Sequence, residues 1–432
     1  MTDKNDLYSN LITSYDSNLD HSGINGKRLA NRLYELSKIG FTSDGGVRRP
    51  GFSEEEKQAK QLVKTWMKEA GLDVKEDGAG NVTGRLTGKC NDLPAVASGS
   101  HVDSVPNGGH FDGPVGVLSA LEVVEAWKET NYQPEKPYEV IVFTDEEGSR
   151  FNSGLTGSMA MTGSGDFSAK TDLVDYNGDS FEKVLQDYGS SLEDFKQAKR
   201  DIQELEMFVE VHIEQGKKLE QANLPVGIVS GIAGPAWLEI TFTGEAGHAG
   251  NTPMIGRRDP LIAAGVFLQK VEEFPQQVSE TAVATVGKLN VSPNGINVIP
   301  QQVTLNVDIR DIHEGTRDQL LELITQAAEQ IAGNRGVSID IKQKTKIQPI
   351  SIKKDLQNKL ATSIAKFDIK PAYIPSGAGH DAMMLGREIP VAMLFVRSKD
   401  GISHNPKEWS SLSDIVTTVH VLKDFVEGVM EE

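Results

Sequence analysis

The 432-residue chain holds a single cysteine, Cys90, so no intrachain disulfide can form. That usage fits a reducing compartment, and a cytoplasmic protein is expected. The N-terminus, Met1-Thr2-Asp3-Lys4-Asn5-Asp6, lacks an apolar run and is not expected to be a signal peptide. No stretch approaches the length of a membrane span. Positive charge is in deficit: 44 Lys and Arg stand against 62 Asp and Glu, a formal net charge of -18. That balance argues against nucleic acid or an anionic membrane as partner. Internal repeats and low-complexity tracts are missing too. The rest is ordinary for a globular chain, 38% hydrophobic and 25% charged, and long enough for two domains with sizeable cores.

Residues 1 to about 24 are polar and read as a loosely attached arm. A helix is expected from near Asn25, with Leu29, Leu33 and Leu36 on one face. Another should run from Ser53 to about Ala70, with Ser53 and Glu56 forming a capping box. Strands at 81–86, 95–98, 138–143 and 208–211 then alternate with a helix over 116–129. This argues for an α/β layer fold, in which ligands collect at the carboxyl ends of strands. The pattern changes over residues 231–346. Strands are expected at 237–243, 282–291, 302–310 and 338–346, with helices at 258–273 and 314–331. The order βαββαβ is the split, ferredoxin-like unit, read here as an inserted domain. Residues 1–230 and 347–432 would form the other domain, with a returning strand at 392–396.

Chemistry gathers at strand ends. His101 lies in Gly99-Ser100-His101-Val102-Asp103-Ser104, with Asp103 placed to hydrogen-bond the imidazole from behind. Asp112 lies in the glycine-rich turn Asn107-Gly108-Gly109-His110-Phe111-Asp112-Gly113, where His110 is the poorer ligand candidate. Glu146 and Glu147 follow the apolar run Val140-Ile141-Val142-Phe143. Consecutive side chains point apart, so one can bind a metal while the other faces a water. His212 ends another strand, and His404 lies in Gly401-Ile402-Ser403-His404-Asn405-Pro406. Each residue alone is more often structural. Three histidines and two carboxylates at strand-to-loop junctions, with one aspartate bridging, instead suit a pair of divalent ions. Residues 231–346 carry a second polar set: His248 between small residues, Asn297, and Arg310 at a strand end. Arg310 suits a substrate carboxylate or, equally, a salt bridge to Asp308 or Asp311. The loop Gly377-Ala378-Gly379-His380-Asp381 has backbone N–H groups open to a substrate, and His380 is as readily structural.

With those residues in view, the chain resembles the M20-type metal-dependent amidohydrolases. Within them it is most similar to the branch of N-carbamoyl-L-amino acid hydrolases, allantoate amidohydrolases and β-ureidopropionases. The marks are Gly99-Ser100-His101-Val102-Asp103-Ser104-Val105, Asp145-Glu146-Glu147-Gly148-Ser149-Arg150-Phe151, His212-Ile213-Glu214-Gln215-Gly216, Gly247-His248-Ala249-Gly250 and Ser376-Gly377-Ala378-Gly379-His380-Asp381-Ala382. The resemblance implies a zinc-peptidase-like α/β/α catalytic domain, with 231–346 as an inserted ferredoxin-like lid and dimerisation domain. It implies two divalent ions, zinc, manganese or cobalt. His101, Asp112 and His212 would hold one; Asp112, Glu147 and His404 the other. Glu146 would be the general base. Gln215, His248, Asn297, Arg310, Gly377 and Gly379 would contact a small ureido acid, with His248 also stabilising an oxyanion in its own or a partner's site. A homodimer through the inserted domain is implied as well. The runs Gly231-Ile232-Ala233-Gly234-Pro235-Ala236-Trp237 and Phe395-Val396-Arg397 look most like the L-carbamoylases. Allantoate amidohydrolase, β-ureidopropionase and, further off, a dipeptidase or aminoacylase stay open. A non-catalytic binding protein would typically have lost the base or a ligand, and here every expected position is filled.

Overall fold

Runs of Val, Ile, Leu and Phe form strands that a sheet can bury on both faces. The computed structural model describes residues 6–165, 167 and 169–432. These divide into two units. One comprises the described residues as far as Val229 with Ile352–Ile374 and His380–Glu432; the other is Ser230–Ser351 with Pro375–Gly379.

Seven strands of the nine-stranded sheet follow one another in the order Asp73–Glu76, Val82–Leu86, Tyr138–Phe143, Ala95–His101, Leu205–Ile213, Val391–Val396 and Val226–Ile232. The four central strands pair in parallel, and the outer pairs are antiparallel. Tyr138–Phe143 and Val391–Val396 are buried at every residue, as expected of strands covered on both faces. Parallel register brings their carboxyl ends together: His101 lies opposite Phe143, and His212 opposite Phe395. The helix Pro114–Thr130 packs on the strands Ala95–His101 and Leu205–Ile213 and is buried from Pro114 to Trp127. Pro114 begins it without an N–H to satisfy. The helix Leu412–Met430, capped by Ser411, adds buried Ile415, Val416, Val419 and Leu422.

Three expectations need correction. The N-terminal arm is docked from Asp6 onward; residues 1–5 lie outside the described residues. Asp6–Thr13 is a helix whose Leu11 is fully buried, and His420 Nε2 lies 2.9 Å from the Leu19 carbonyl. The capping box at Ser53 is displaced by one residue. Ser53 Oγ accepts the Glu56 N–H at 3.1 Å, but Glu56 Oε2 reaches the Phe52 N–H at 2.6 Å. Its Oε1 turns inward to Lys60 Nζ (2.8 Å) and the Asp145 N–H (3.3 Å), so this cap also seats the loop carrying Glu146. Residues 347–351 and 375–379 belong to the second unit instead of the first. The Ala233 N–H bonds the Ser376 carbonyl at 2.9 Å, and Arg310 Nη1 bonds that of Gly377 at 2.7 Å.

In the second unit one antiparallel sheet has the order Ser338–Lys346, Gly234–Thr243, Gln302–Asp311, Val283–Ser292. The helices Pro260–Glu273 and Glu314–Arg335 pack on it through Phe242, Phe267, Leu305 and Leu320. This is the split βαβ arrangement.

Candidate metal centre

Four central strands of the first unit deliver side chains to one place. His101 ends one strand and His212 lies near the end of the next. Glu146 and Glu147 follow Phe143, and His404 follows the strand ending at Val396. Two sets result, His101–Asp112–His212 and Asp112–Glu147–His404, each with its donor atoms within 4.8 Å of one another. Asp112 divides its carboxylate between them. Oδ1 lies 3.0 Å from His212 Nε2 and 3.7 Å from His101 Nε2; Oδ2 lies 3.5 Å from His404 Nε2. Glu147 Oε2 is 3.3 Å from His404 Nε2. Glu146 belongs to neither set, and its Oε2 is 3.7 Å from His101 Nε2.

Backbone groups orient the imidazoles. His212 Nδ1 faces the Ile213 carbonyl at 3.0 Å, and His101 Nδ1 faces the Asp103 carbonyl at 3.2 Å. With Nδ1–H donating backward, each Nε2 is turned toward Asp112, carrying a proton when no cation is bound and a lone pair when one is. Asp103 does more than stand behind His101. Its carboxylate is 3.4 Å from His101 Nδ1, and its two oxygens accept the N–H groups of Glu146 and Glu147 at 3.1 Å each. Gly113 is required by crowding: its φ is +80°, and a Cβ there would fall 2.5 Å from the His101 ring.

The donor set fits divalent ions. His101 Nε2 is buried without a hydrogen-bond partner. Burial raises the proton affinities of Glu146 and Glu147 well above the usual carboxylate range, helped by Asp381 and Glu147 for the first and by Asp112 for the second. Burial alone would raise Asp112 as well, but the imidazoles of His212, His101 and His404 more than reverse it. Carboxylates so crowded call for positive charge, and N/O donors at this spacing suit two cations that share a carboxylate.

Other candidates fall elsewhere. His110 is in neither set; its Nε2 is 3.0 Å from the Gly45 carbonyl, and burial pushes it down to about 4. Gln215, expected at the substrate, donates from Nε2 to Asp112 Oδ2 (2.8 Å) and Ser403 Oγ (3.1 Å). In the second unit, His248 pairs with Val298, and the Ala249 N–H bonds the Asn297 carbonyl at 3.0 Å, so these two candidates are neighbours. His248 Nδ1 accepts the N–H groups of Gly250 and Asn251 at 3.1 and 3.2 Å, which leaves the ring proton on Nε2. Arg310 is gripped by Asp308 through Nε (3.0 Å) and Nη2 (2.8 Å), and by the Gly377 carbonyl. The salt bridge to Asp308 therefore exists. The Arg310 side chain is still 30% exposed. Gly377 and Gly379 lie in the same unit.

Sequence reasoning missed Glu210, Ser403 and Glu408. Glu210 is fully buried and accepts from Ser100 Oγ (2.8 Å) and the Ala382 N–H (2.9 Å). Its signal was available: a glutamate inside the apolar strand Phe208-Val209-Glu210-Val211. Ser403 and Glu408 lie in a loop, where no periodicity marks them.

The chain matches the family model of Peptidase family M20/M25/M40 over residues 97–428. It is 43% identical over 399 residues to an N-carbamoyl-L-amino acid amidohydrolase of Geobacillus stearothermophilus, covering 92% of this chain and 97% of that one. It is 42% identical over 408 residues to an N-carbamoyl-L-amino-acid amidohydrolase of Pseudomonas sp. (strain NS671), covering 93% and 98%. The crystal structure of a hydantoinase/carbamoylase-family amidase from Burkholderia multivorans superposes with a TM-score of 0.87 at 35% identity, covering 95% of this chain and 99% of that one. With the sheet, the shared aspartate and these full-length similarities in agreement, the chain belongs to Peptidase family M20/M25/M40.

Proposed function

We propose that the protein is a di-metal amidohydrolase that cleaves the carbamoyl C–N bond of N-carbamoyl-L-amino acids, yielding the L-amino acid, ammonia and carbon dioxide. The observation that carries this reading is the pair of ligand sets sharing Asp112, with Glu146 beside them and in neither. Similarity to two named carbamoyl-L-amino-acid hydrolases supports the choice of substrate.

His101, Asp112 and His212 would hold one ion and Asp112, Glu147 and His404 the other; zinc, manganese and cobalt all suit these donors. When bound, the ions would polarise the carbamoyl carbonyl and acidify an attacking water. Glu146 takes the water's proton and returns it to the leaving amino nitrogen as the C–N bond breaks. The carbamic acid released decomposes to ammonia and carbon dioxide. His248 presents Nε2–H, the tautomer that donates to an oxyanion. Arg310 and Asn297 bind the substrate carboxylate, and Gly377 and Gly379 offer backbone N–H groups. Gln215 orients Asp112 from the substrate side. A homodimer joined through residues 231–346 is part of the proposal, supported by exposed Met254, Ile255 and Ile296 there. So is a cytoplasmic location. Among the described residues no helix is long and apolar enough to cross a membrane.

The test is ammonia release by the Mn²⁺- or Zn²⁺-loaded protein from N-carbamoyl-L-methionine, allantoate and N-carbamoyl-β-alanine. The first should be preferred. Preference for another would move the protein to that substrate with its catalytic residues unchanged, and silence on all three with metal bound would overturn the reading. Arg310→Ala should raise KM about 10- to 100-fold with a smaller change in kcat, the loss of a charge-assisted hydrogen bond of ~1.5–3 kcal/mol. An unchanged KM would remove Arg310 from the substrate.

A further inference from the structure

We propose that Glu408 is a positioning residue that ties the loop carrying His404 to the loop carrying Asp112, and so builds the second ligand set. The inference rests on the di-metal reading above. Glu408 is buried, four residues after His404, and its own N–H closes the intervening turn on the Asn405 carbonyl at 2.9 Å. Its carboxylate crosses to the other loop. Oε1 accepts the consecutive N–H groups of Phe111 and Asp112 at 2.9 and 3.0 Å. Oε2 lies 3.1 Å from Ser403 Oγ, which lies 2.7 Å from Asp112 Oδ2. Glu408 thus holds Asp112 through its backbone, while the Ser403 hydroxyl, whose single proton goes to Asp112 Oδ2 at the shorter contact, ties the same two loops at that oxygen. The loop is shaped around this contact: a Cβ on Gly109 would fall 2.1 Å from Glu408 Oε1.

Among the described residues no lysine or arginine pairs with Glu408, and an acid buried beside another acid is expensive. A side chain kept there, long enough to cross between two loops and accept both N–H groups, is explained by what the loops must hold in common. The two sets differ in their need for it. His101 and His212 are on or near strand ends and are oriented by backbone carbonyls. His404 is half exposed, in a loop with φ +54°. Its distance from Asp112 is set by whatever joins the loops, and Glu408 joins them.

The experiment is Mn²⁺ stoichiometry after dialysis, with binding isotherms and electron paramagnetic resonance, on the full-length protein. Wild type should hold two ions per chain as a coupled pair. Glu408→Ala should hold one as a mononuclear centre, with the second bound about 10- to 100-fold more weakly. Glu408→Gln should restore the pair, because its amide oxygen still accepts both N–H groups and its amide N–H₂ donates to Ser403 Oγ. Should Glu408→Ala fail to fold by circular dichroism, Ser403→Ala decides, with a several-fold weakening of the same single ion. Wild-type affinity for both ions in the folded variant, or equal weakening of the two, overturns the inference and leaves the di-metal reading standing. A wild type that binds no metal overturns both.

Discussion

Glu146→Gln is expected to lower kcat by about 10²- to 10⁴-fold, the usual contribution of a positioned general base, while both metal ions stay bound. The expectation follows from geometry. Glu146 lies outside both ligand sets, so an amide in its place removes proton affinity and leaves the ligands untouched. Its backbone N–H is held by Asp103 Oδ1 and that of Glu147 by Asp103 Oδ2, so the loop should keep its shape. The side chains are nearly isosteric, which makes a folding defect an unsatisfactory explanation of lost turnover. Single-turnover rates and metal analysis on one preparation separate the possibilities. A drop in metal content would make Glu146 a ligand. Retained turnover would place the base elsewhere.

Asp112→Ala should have the broadest effect: both ions lost together and activity with them. Asp112 is common to the two sets, one oxygen facing His101 and His212, the other His404. Its removal takes one ligand from each ion and the only carboxylate from the first. By contrast, His404→Ala touches a single set and should leave one ion. Metal analysis after dialysis reads the difference directly, as about none against about one per chain. Equal stoichiometry in the two variants would show that Asp112 does not bridge.

How legible this was depends on how locally each feature is encoded. Strands such as 138–143 and 338–346 could be read to the residue, because an apolar run or an alternation of side chains is a local pattern. The helix Leu412–Met430 carries equally clear helical spacing in Ile415, Val416, Val419 and Leu422. The arm before residue 25 is illegible in the sequence for another reason. Its docking rests on a buried Leu11 and a bond from His420, 401 residues away from Leu19, which composition cannot report. The candidate ligands were recognisable because histidine and acidic residues at the ends of apolar strands are conspicuous. Their partners were not. Asp103 reaching across to Glu146 and Glu147, Gln215 turning to Asp112, and Glu408 bridging two loops are contacts between segments 43 to 297 residues apart.

Fold class, the βαββαβ insertion, family membership and the identity of the candidate ligands are therefore written along the chain. They depend on residue type and short-range periodicity, which survive without knowledge of neighbours. Tertiary structure alone decides that Asp112 divides its two oxygens between separate groups of candidate ligands. It also decides that Arg310 is gripped by Asp308 and that the proton of His248 resides on Nε2. Each is a matter of which lone pair or N–H meets which, at about 3 Å. That is settled by the register of parallel strands and the closure of the loops between them.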